Sequence, residues 1–371
     1  MAERAAADAA GFSVDAQVSQ TTEADTNSRL SPLDEGALFG SRTNVQLQAL
    51  ARTPRTAWSI DTGFNAQGFV GPGDNDGLNR IDPRFGSGYR FTLPRFEAGA
   101  DLSFSSRATA FEQIEDSGLT EGDATQFILG LGADAKMDLD ARNSLSFDLS
   151  GGITRFSEAA DDLFPTSTIR GNATWRRSFS ERTSGDINFG IQRFTTDNEE
   201  DTRSISLDLS AGMRTELTPR ASMDFGAGVV VTRSVEDTDG ASIEPGVIGD
   251  LGFRYRIART SLEATVSQSV EPSALGELQN RTAAGLSLVH QMTPRAQLGF
   301  SAQYSLQLSV DDDGLGTDRN FVSVSPTYSV ALTRDTSLNL GYAFRFADQD
   351  TGSATSHQVF LRISRAFSLL R

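Results

Sequence analysis

Along most of this chain, apolar and polar side chains alternate one by one. Leu298, Phe300, Ala302, Tyr304, Leu306, Leu308 and Val310 share one parity, and Gln297, Gly299, Ser301, Gln303, Ser305, Gln307 and Ser309 the other. Ile205, Leu207, Leu209, Ala211 and Met213 alternate with Ser204, Ser206, Asp208, Ser210, Gly212 and Arg214, and Leu338, Leu340, Tyr342, Phe344 and Phe346 run the same way near the C-terminus. A period of two marks a β-strand whose two faces meet different surroundings. The runs last about ten residues or more, enough for a tilted strand to cross a bilayer, whereas no run approaches the roughly eighteen consecutive apolar residues of a membrane helix.

The alternation is punctuated at a period of about forty residues. The tight-turn copies are Thr53-Pro54-Arg55, Leu93-Pro94-Arg95, Ala141-Arg142-Asn143-Ser144, Glu181-Arg182-Thr183-Ser184, Thr218-Pro219-Arg220, Ala258-Arg259-Thr260-Ser261, Thr293-Pro294-Arg295 and Thr333-Arg334-Asp335. Between them lie longer polar segments at 21–41, 70–84, 108–123, 157–165, 196–201, 235–244, 271–279, 311–319 and 348–355. Each period therefore reads strand, long loop, strand, tight turn. Nine such hairpins predict about eighteen antiparallel strands in one unit over 11–368, with a short extension at 1–10 and a tail at 369–371. A propeller blade would turn about every ten residues, and a sandwich would use strands of about five or six; neither matches.

That many one-sided strands must place their apolar face somewhere. A barrel this wide cannot fill its own centre, so the face meets lipid and the polar face meets water. The polar parity holds charges that a dry core would not tolerate: Asp61, Asp101, Asp134, Asp148, Asp186, Asp208, Asp224 and Asp250, with Arg90, Arg170, Arg176, Arg214, Arg254, Arg256, Arg345 and Arg362. These are the expected lumen-lining residues. Closure also removes strand edges that lipid cannot satisfy. The reading is thus a closed, all-β, up-and-down transmembrane β-barrel with short turns on one side and long loops on the other. Trp58, Trp175, Phe179 and Tyr255 near the tight turns, and Phe64, Phe69, Phe156, Phe194 and Phe346 near the loops, are placed as interfacial girdles.

Charge sharpens this picture. The net charge of -16 over 371 residues speaks against nucleic-acid binding. The nine long segments hold 31 acidic residues against four arginines (Arg29, Arg80, Arg84, Arg319), leaving 18 acidic and 29 basic residues elsewhere. The loop side is therefore an acidic mouth, which either concentrates cations or simply solvates the loops. Asp311, Asp312 and Asp313 are weak divalent-cation candidates, since no segment has the spacing of a dedicated calcium loop. Cysteine is absent and His290 and His357 are the only histidines, so no cofactor or transition-metal site is expected. His357, near Asp348 and Asp350, is the one candidate for hydrolase chemistry of the kind found at barrel rims; no nucleophile-elbow or phosphate-loop motif accompanies it, and no enzyme is expected. Residues 1–10 contain no apolar signal core, so the expectation is a mature or re-started chain, and they are too few for a plug domain.

The last alternating run, Val359, Leu361, Ile363, Arg365 and Phe367, resembles the targeting strand of Gram-negative outer-membrane proteins, with Phe367 as the assembly signal. Arg365 and the trailing Ser368-Leu369-Leu370-Arg371 depart from that pattern. The recurrent Thr-Pro-Arg turn resembles, more loosely, the porin-like barrels of exopolysaccharide and capsule loci. The resemblances imply an outer-membrane location, with lipid, lipopolysaccharide and the barrel-assembly machinery as partners. The function expected is a channel for a hydrophilic solute or an exported polysaccharide. The alternative is a structural or adhesive barrel with acidic loops and an occluded lumen.

Overall fold

The computed structural model describes residues 11–33, 36–72, 78–108, 124–157, 164–197, 203–236, 240–272, 278–309, 319–349 and 352–370. Eighteen strands account for nearly all of them: β1 (Gly11–Asp25), β2 (Leu38–Arg52), β3 (Thr56–Val70), β4 (Arg80–Leu93), β5 (Phe96–Ala108), β6 (Thr125–Asp138), β7 (Asn143–Phe156), β8 (Thr166–Ser178), β9 (Thr183–Thr196), β10 (Arg203–Thr218), β11 (Ala221–Glu236), β12 (Gly240–Ile257), β13 (Thr260–Pro272), β14 (Leu278–Thr293), β15 (Ala296–Ser309), β16 (Arg319–Ala331), β17 (Thr336–Gln349) and β18 (Gly352–Leu370). Each pairs antiparallel with its neighbours in sequence, and β18 returns to β1, from Val14↔Leu370 to Asp25↔Gln358. The sheet is closed. The ladder between β12 and β13 covers the tight-turn half, from Ile257↔Thr260 to Gly249↔Gln268.

The repeated turn has a mechanical explanation. Thr53 Oγ1 accepts from the amides of Arg55 and Thr56; Thr218 does the same for Arg220 and Ala221, and Thr293 for Arg295 and Ala296. Asp140 takes this role before β7, accepting from Arg142 and Asn143. These local side-chain acceptors hold tight turns. The carbonyl of the turn arginine then accepts from the next hairpin: Arg55 from Thr92, Arg142 from Ser178, Arg220 from Arg256, Arg295 from Ala331. The forty-residue period is thus the spacing at which one turn stitches to the following hairpin.

The apolar parity points outward. Leu149, Phe147, Phe189, Leu209, Val229, Leu251, Leu298 and Leu340 are among many large apolar side chains left exposed, while Ser204, Ser206 and Asp208 on the opposite parity of β10 are buried. An exposed apolar surface on this scale would aggregate in water and is at rest in hydrocarbon.

Three expectations are corrected. The long loops are shorter than their polarity suggests: β1 continues to Asp25 and β2 starts at Leu38, where a loop at 21–41 was expected. Likewise 235–244 and 348–355 are largely strand. The fifteen residues of β1, at about 3.3 Å each, are longer than an apolar band about 25 Å tall requires, so strand ends beyond the band become polar on both faces without ceasing to pair. The C-terminal tail is likewise strand, because β18 runs to Leu370. Finally, Phe69 and Phe194 are not girdle residues; at 3% and 2% exposure they are buried on the inner parity.

Candidate functional site: the inner wall and its loop-end roof

Cross-strand register places all sixteen predicted lumen residues on the parity opposite the exposed apolar side chains. Arg90 stands opposite Gly99, which stands opposite Asp134, which faces Asp148. Asp148 faces Asn172, two positions from Arg170 along one edge, with Arg176 opposite Asp186. Arg214 faces Asp224, and Arg254 and Arg256 close β12 beside Asp250. On β17 and β18, Arg345 faces Ser356 and Asn339 faces Arg362. Asp101 lies between Gly88 and Gly132.

Within β3–β13 these charges form ion pairs across strands. Arg90 contacts Glu97, and its second arm reaches Asp134 at 3.5 Å. Arg254 lies 2.9 Å from Glu263 and 3.9 Å from Asp224, which Arg214 also approaches at 3.9 Å; Arg170 is 3.9 Å from Asp208. Such half-exposed pairs contribute little stability, about 0–1 kcal/mol each.

A second feature was not foreseen. Asp101, Asp134, Asp186, Asp208, Asp224 and Asp250 each lie directly opposite a glycine of the neighbouring strand: Gly132, Gly99, Gly212, Gly190, Gly252 and Gly226. A Cβ at any of these glycines would run into the carboxylate. The aspartates therefore fold sideways over bare backbone and lie along the wall rather than projecting into the lumen. Glycine weakens a strand unless something needs its missing side chain; here a carboxylate does. The signal is invisible in one strand, because it requires the register of two.

The arc β14–β18 differs. Among its described residues the inner parity carries Arg281, Arg319, Arg345 and Arg362, with serine, threonine, glutamine and asparagine, and no Asp or Glu. With β1, β2 and β13 it encloses a cavity of about 580 Å³, whose charged lining is Glu23, Arg42, Arg281, Arg345 and Arg362. Glu23 is 2.8 Å from Arg42 and accepts from Gln358. Arg362 donates to Thr21 at 3.0 Å.

The loop end of this arc is roofed. Asp25, Arg345 and Ser356, from β1, β17 and β18, form a buried knot: Ser356 Oγ donates to Asp25 at 2.6 Å, Arg345 donates to Ser356 at 3.0 Å, and Arg345 contacts Asp25. From it the chain turns inward, and Leu30, 1% exposed, packs on Phe321, Ala347 and Ala354 of the inner wall. Removing a buried leucine of this kind costs about 2–5 kcal/mol. Beside it, Leu78 packs on Leu38 and Phe69, and Asn79 accepts from the amide of Phe69 at 2.6 Å.

The remaining candidates lie elsewhere. His357 faces outward: its Nδ1 is 2.7 Å from the Tyr342 hydroxyl, and its ring sits 5.4 Å from that of Phe344. Ser356 points through the wall to the opposite face, so this region has no Ser–His–Asp geometry; the knot is acid, serine and guanidinium. His290 is also outward, hydrogen-bonded to Thr260 at 2.9 Å. Phe367 lies on the outer face with the guanidinium of Arg365 5.0 Å from its ring centre, so the apparent interruption of the apolar face is a cation resting on an aromatic ring. Asp311, Asp312 and Asp313 lie outside the described residues. Among the described residues no group of three acidic or histidine side chains converges as metal ligands.

Known structures share this architecture. The chain aligns over 96% of its length with OpdO of Pseudomonas aeruginosa, covering 97% of that chain at TM-score 0.52 and 10% identity. A BenF-like porin from Pseudomonas fluorescens aligns over 99% of its own length at TM-score 0.53 and 10% identity. The fold is that of the outer-membrane porins. OpdK of Pseudomonas aeruginosa, solved with vanillate, aligns over its whole length at TM-score 0.51 and 12% identity. No protein-family model matches the chain. No curated protein matches it either. At these identities the likeness speaks for the fold, and the wall chemistry above belongs to this chain.

Proposed function

We propose that this protein is a bacterial outer-membrane channel for small hydrophilic solutes, in which the guanidinium groups of β14–β18 orient anionic ones. The observation that carries the reading is the unequal charge of the inner wall. Carboxylates lie flat along β3–β12, and β14–β18 offers arginines without carboxylates of its own to a cavity of about 580 Å³, where Glu23 of β1 is paired with Arg42. A carboxylate crossing such a lumen is drawn to one side and hydrogen-bonded there by guanidinium forks, hydroxyls and amides. An aromatic carboxylate such as vanillate, found with OpdK, has the matching chemistry. An exported acidic polysaccharide would present the same groups in series. Phe367 and the β18 edge serve the assembly machinery, and the acidic loops face lipopolysaccharide in this reading.

Purified protein in planar bilayers gives discrete conductance steps that vanillate or galacturonate reduces at millimolar concentration. Bilayers that stay silent across preparations would remove the reading. The second reading, an occluded adhesive barrel, draws on the inward-folded Leu30 and Leu78. It predicts silent bilayers together with surface attachment that is lost when the acidic loops are deleted.

A further inference from the structure

We propose that the first loop, from Thr26 to Leu33, is the constriction of this pore: a fixed roof over the arginine-lined cavity. This deepens the channel reading above and rests on it. Four observations converge. Leu30 is driven into the inner wall, where β17 and β18 offer small side chains, Ala347 and Ala354, as its floor, with Phe321 of β16 at the side. Leu30 adopts a left-handed backbone, φ 49°, unusual for a branched residue and kept only where surroundings over-determine it.

The loop is also cross-braced. Asn27 donates to the Ser31 carbonyl at 2.9 Å and accepts from the Ser31 amide at 3.1 Å, while the Asn27 amide donates to Asp25 at 3.0 Å and that of Leu30 to the Asn27 carbonyl at 3.2 Å. The loop root is stitched to β18, with Thr26 donating to the His357 carbonyl at 3.1 Å and the His357 amide donating to Thr26 Oγ1 at 2.9 Å. A loop built to wave in solvent has no use for a buried leucine and a buried ion pair at its base.

Its position gives it a role. Arg345 and Phe321 belong both to the cavity lining and to the region that seats the loop. A solute entering from the loop side therefore passes between the Asn27–Leu30 turn and the opposite wall before meeting Arg281 and Arg362. The turn contributes Asn27, Ser28, Arg29 and backbone groups, so it narrows the mouth and sets one more guanidinium, its Nε buried, above the arginines of the cavity. The knot of Asp25, Arg345 and Ser356 neutralises the Arg345 guanidinium at the root of the roof, and Arg281 and Arg362 line the cavity beneath it.

The native chain has no cysteine, which makes a direct test possible. Leu30 and Leu33 sit in one loop, three residues apart, at 1% and 82% exposure. In the full-length barrel, L33C reacts with a small maleimide at least about tenfold faster than L30C, the protection expected of a side chain held in a packed site. Equal rates would overturn the roof. The second arm is conductance: D25N/L30S, shown by heat-modifiable gel migration to form a barrel, gives steps about twice those of the native chain, the loop no longer being held in the mouth. Conducting barrels whose step is unchanged in the variant overturn the constriction and keep the channel. Silent native barrels that conduct only in the variant overturn the open-channel reading and uphold the roof. Should the double variant fail to form a barrel, the L30C labelling rate alone decides.

Discussion

The β3–β12 and β14–β18 arcs are built from the same hairpin, closed by related turns, and greasy on the same outer parity, yet their inner faces carry different chemistry. The first arc is crowded with charge of both signs. Six of its aspartates lie over glycines, and Arg170, Arg214 and Arg254 each come to 3.9 Å of one of them. The second arc carries cations diluted by hydroxyls and amides, and one of its arginines, Arg345, is tied up at the roof. The lesson is that the two arcs differ in available charge more than in total charge. A carboxylate folded onto its own wall beside a guanidinium is already answered; Arg281 and Arg362 lie on an arc whose described inner parity carries no Asp or Glu. The second arc should therefore dominate selectivity despite holding fewer charges.

The sharpest way to break that comparison is to reverse the second arc. R281E/R362E should move the chloride-to-potassium permeability ratio toward potassium by about tenfold, because like charges at lumen distances in a wet, half-screened medium act with roughly a kcal/mol each. Reversal potentials under a salt gradient measure it. A ratio unmoved by the double reversal would mean that the acidic loops, not the wall, set selectivity.

The complementary change is smaller. D101N/D208N/D250N neutralises three carboxylates of the first arc, and the same reversal-potential measurement should shift the other way by about two- to threefold, since these groups are wall-bound and partly paired. A shift as large as that of the arginine reversal would erase the distinction between the two arcs.

How far this was legible in the sequence follows from what each inference needs. Strand identity and face need one strand: Leu298 to Leu308 against Gln297 to Ser309 settle both, and the turn arginines set the hairpin count. The parity of the sixteen inner charges can be read from single strands. The aspartate-over-glycine pattern needs two strands in register, and Gly190 reads as an ordinary weak strand position until Asp208 is seen across from it. The roof needs the closed barrel: Asp25 and Arg345 lie 320 residues apart in sequence, and Asn27 to Leu33 reads as solvated loop because a single leucine has no period. Phe69 and Phe194 were misplaced for the same reason. At the loop end, inward apolar residues pack under loops rather than on lipid, and aromatic composition cannot tell the two apart.

Glycine spacing offers a finer test. At Gly132 an added Cβ meets the Asp101 carboxylate, whereas at Gly151 its nearest neighbour is the Thr168 carbonyl at 3.7 Å, an ordinary contact. G132A should therefore push Asp101 off the wall, lowering conductance modestly at small cost in stability because the displaced atoms end an exposed side chain, while G151A stays near neutral. Gel migration against temperature and single-channel steps report the two effects. Equal behaviour of the two variants would show that the carboxylates swing freely.

The smallest effect expected separates the arcs at their turns, where they are otherwise most alike. Asp140 closes the β6–β7 turn in the carboxylate arc, whereas Thr293 closes the β14–β15 turn in the arginine arc. The Arg142 backbone amide, and with it the Asn143 side chain, holds the Asp140 carboxyl below its ordinary range. A carboxyl lowered in the folded state stabilises its turn above the unfolded pKa, near about 3.9, and loses that contribution as pH falls through the lower folded value. The threonine hydroxyls do not titrate there. Amide exchange at Arg142 and Asn143 should therefore accelerate, relative to the pH-corrected intrinsic rate, as the solution is taken to about pH 3 and below, while the amides of Arg295 and Ala296 keep their protection. D140T should abolish the acid response and keep the turn, because a hydroxyl can accept the same two amides that Thr293 already serves. If both turns loosened together in acid, the cause would be a wall-wide loss of carboxylate pairing, and the independence of turn and wall assumed throughout the comparison would have to be abandoned.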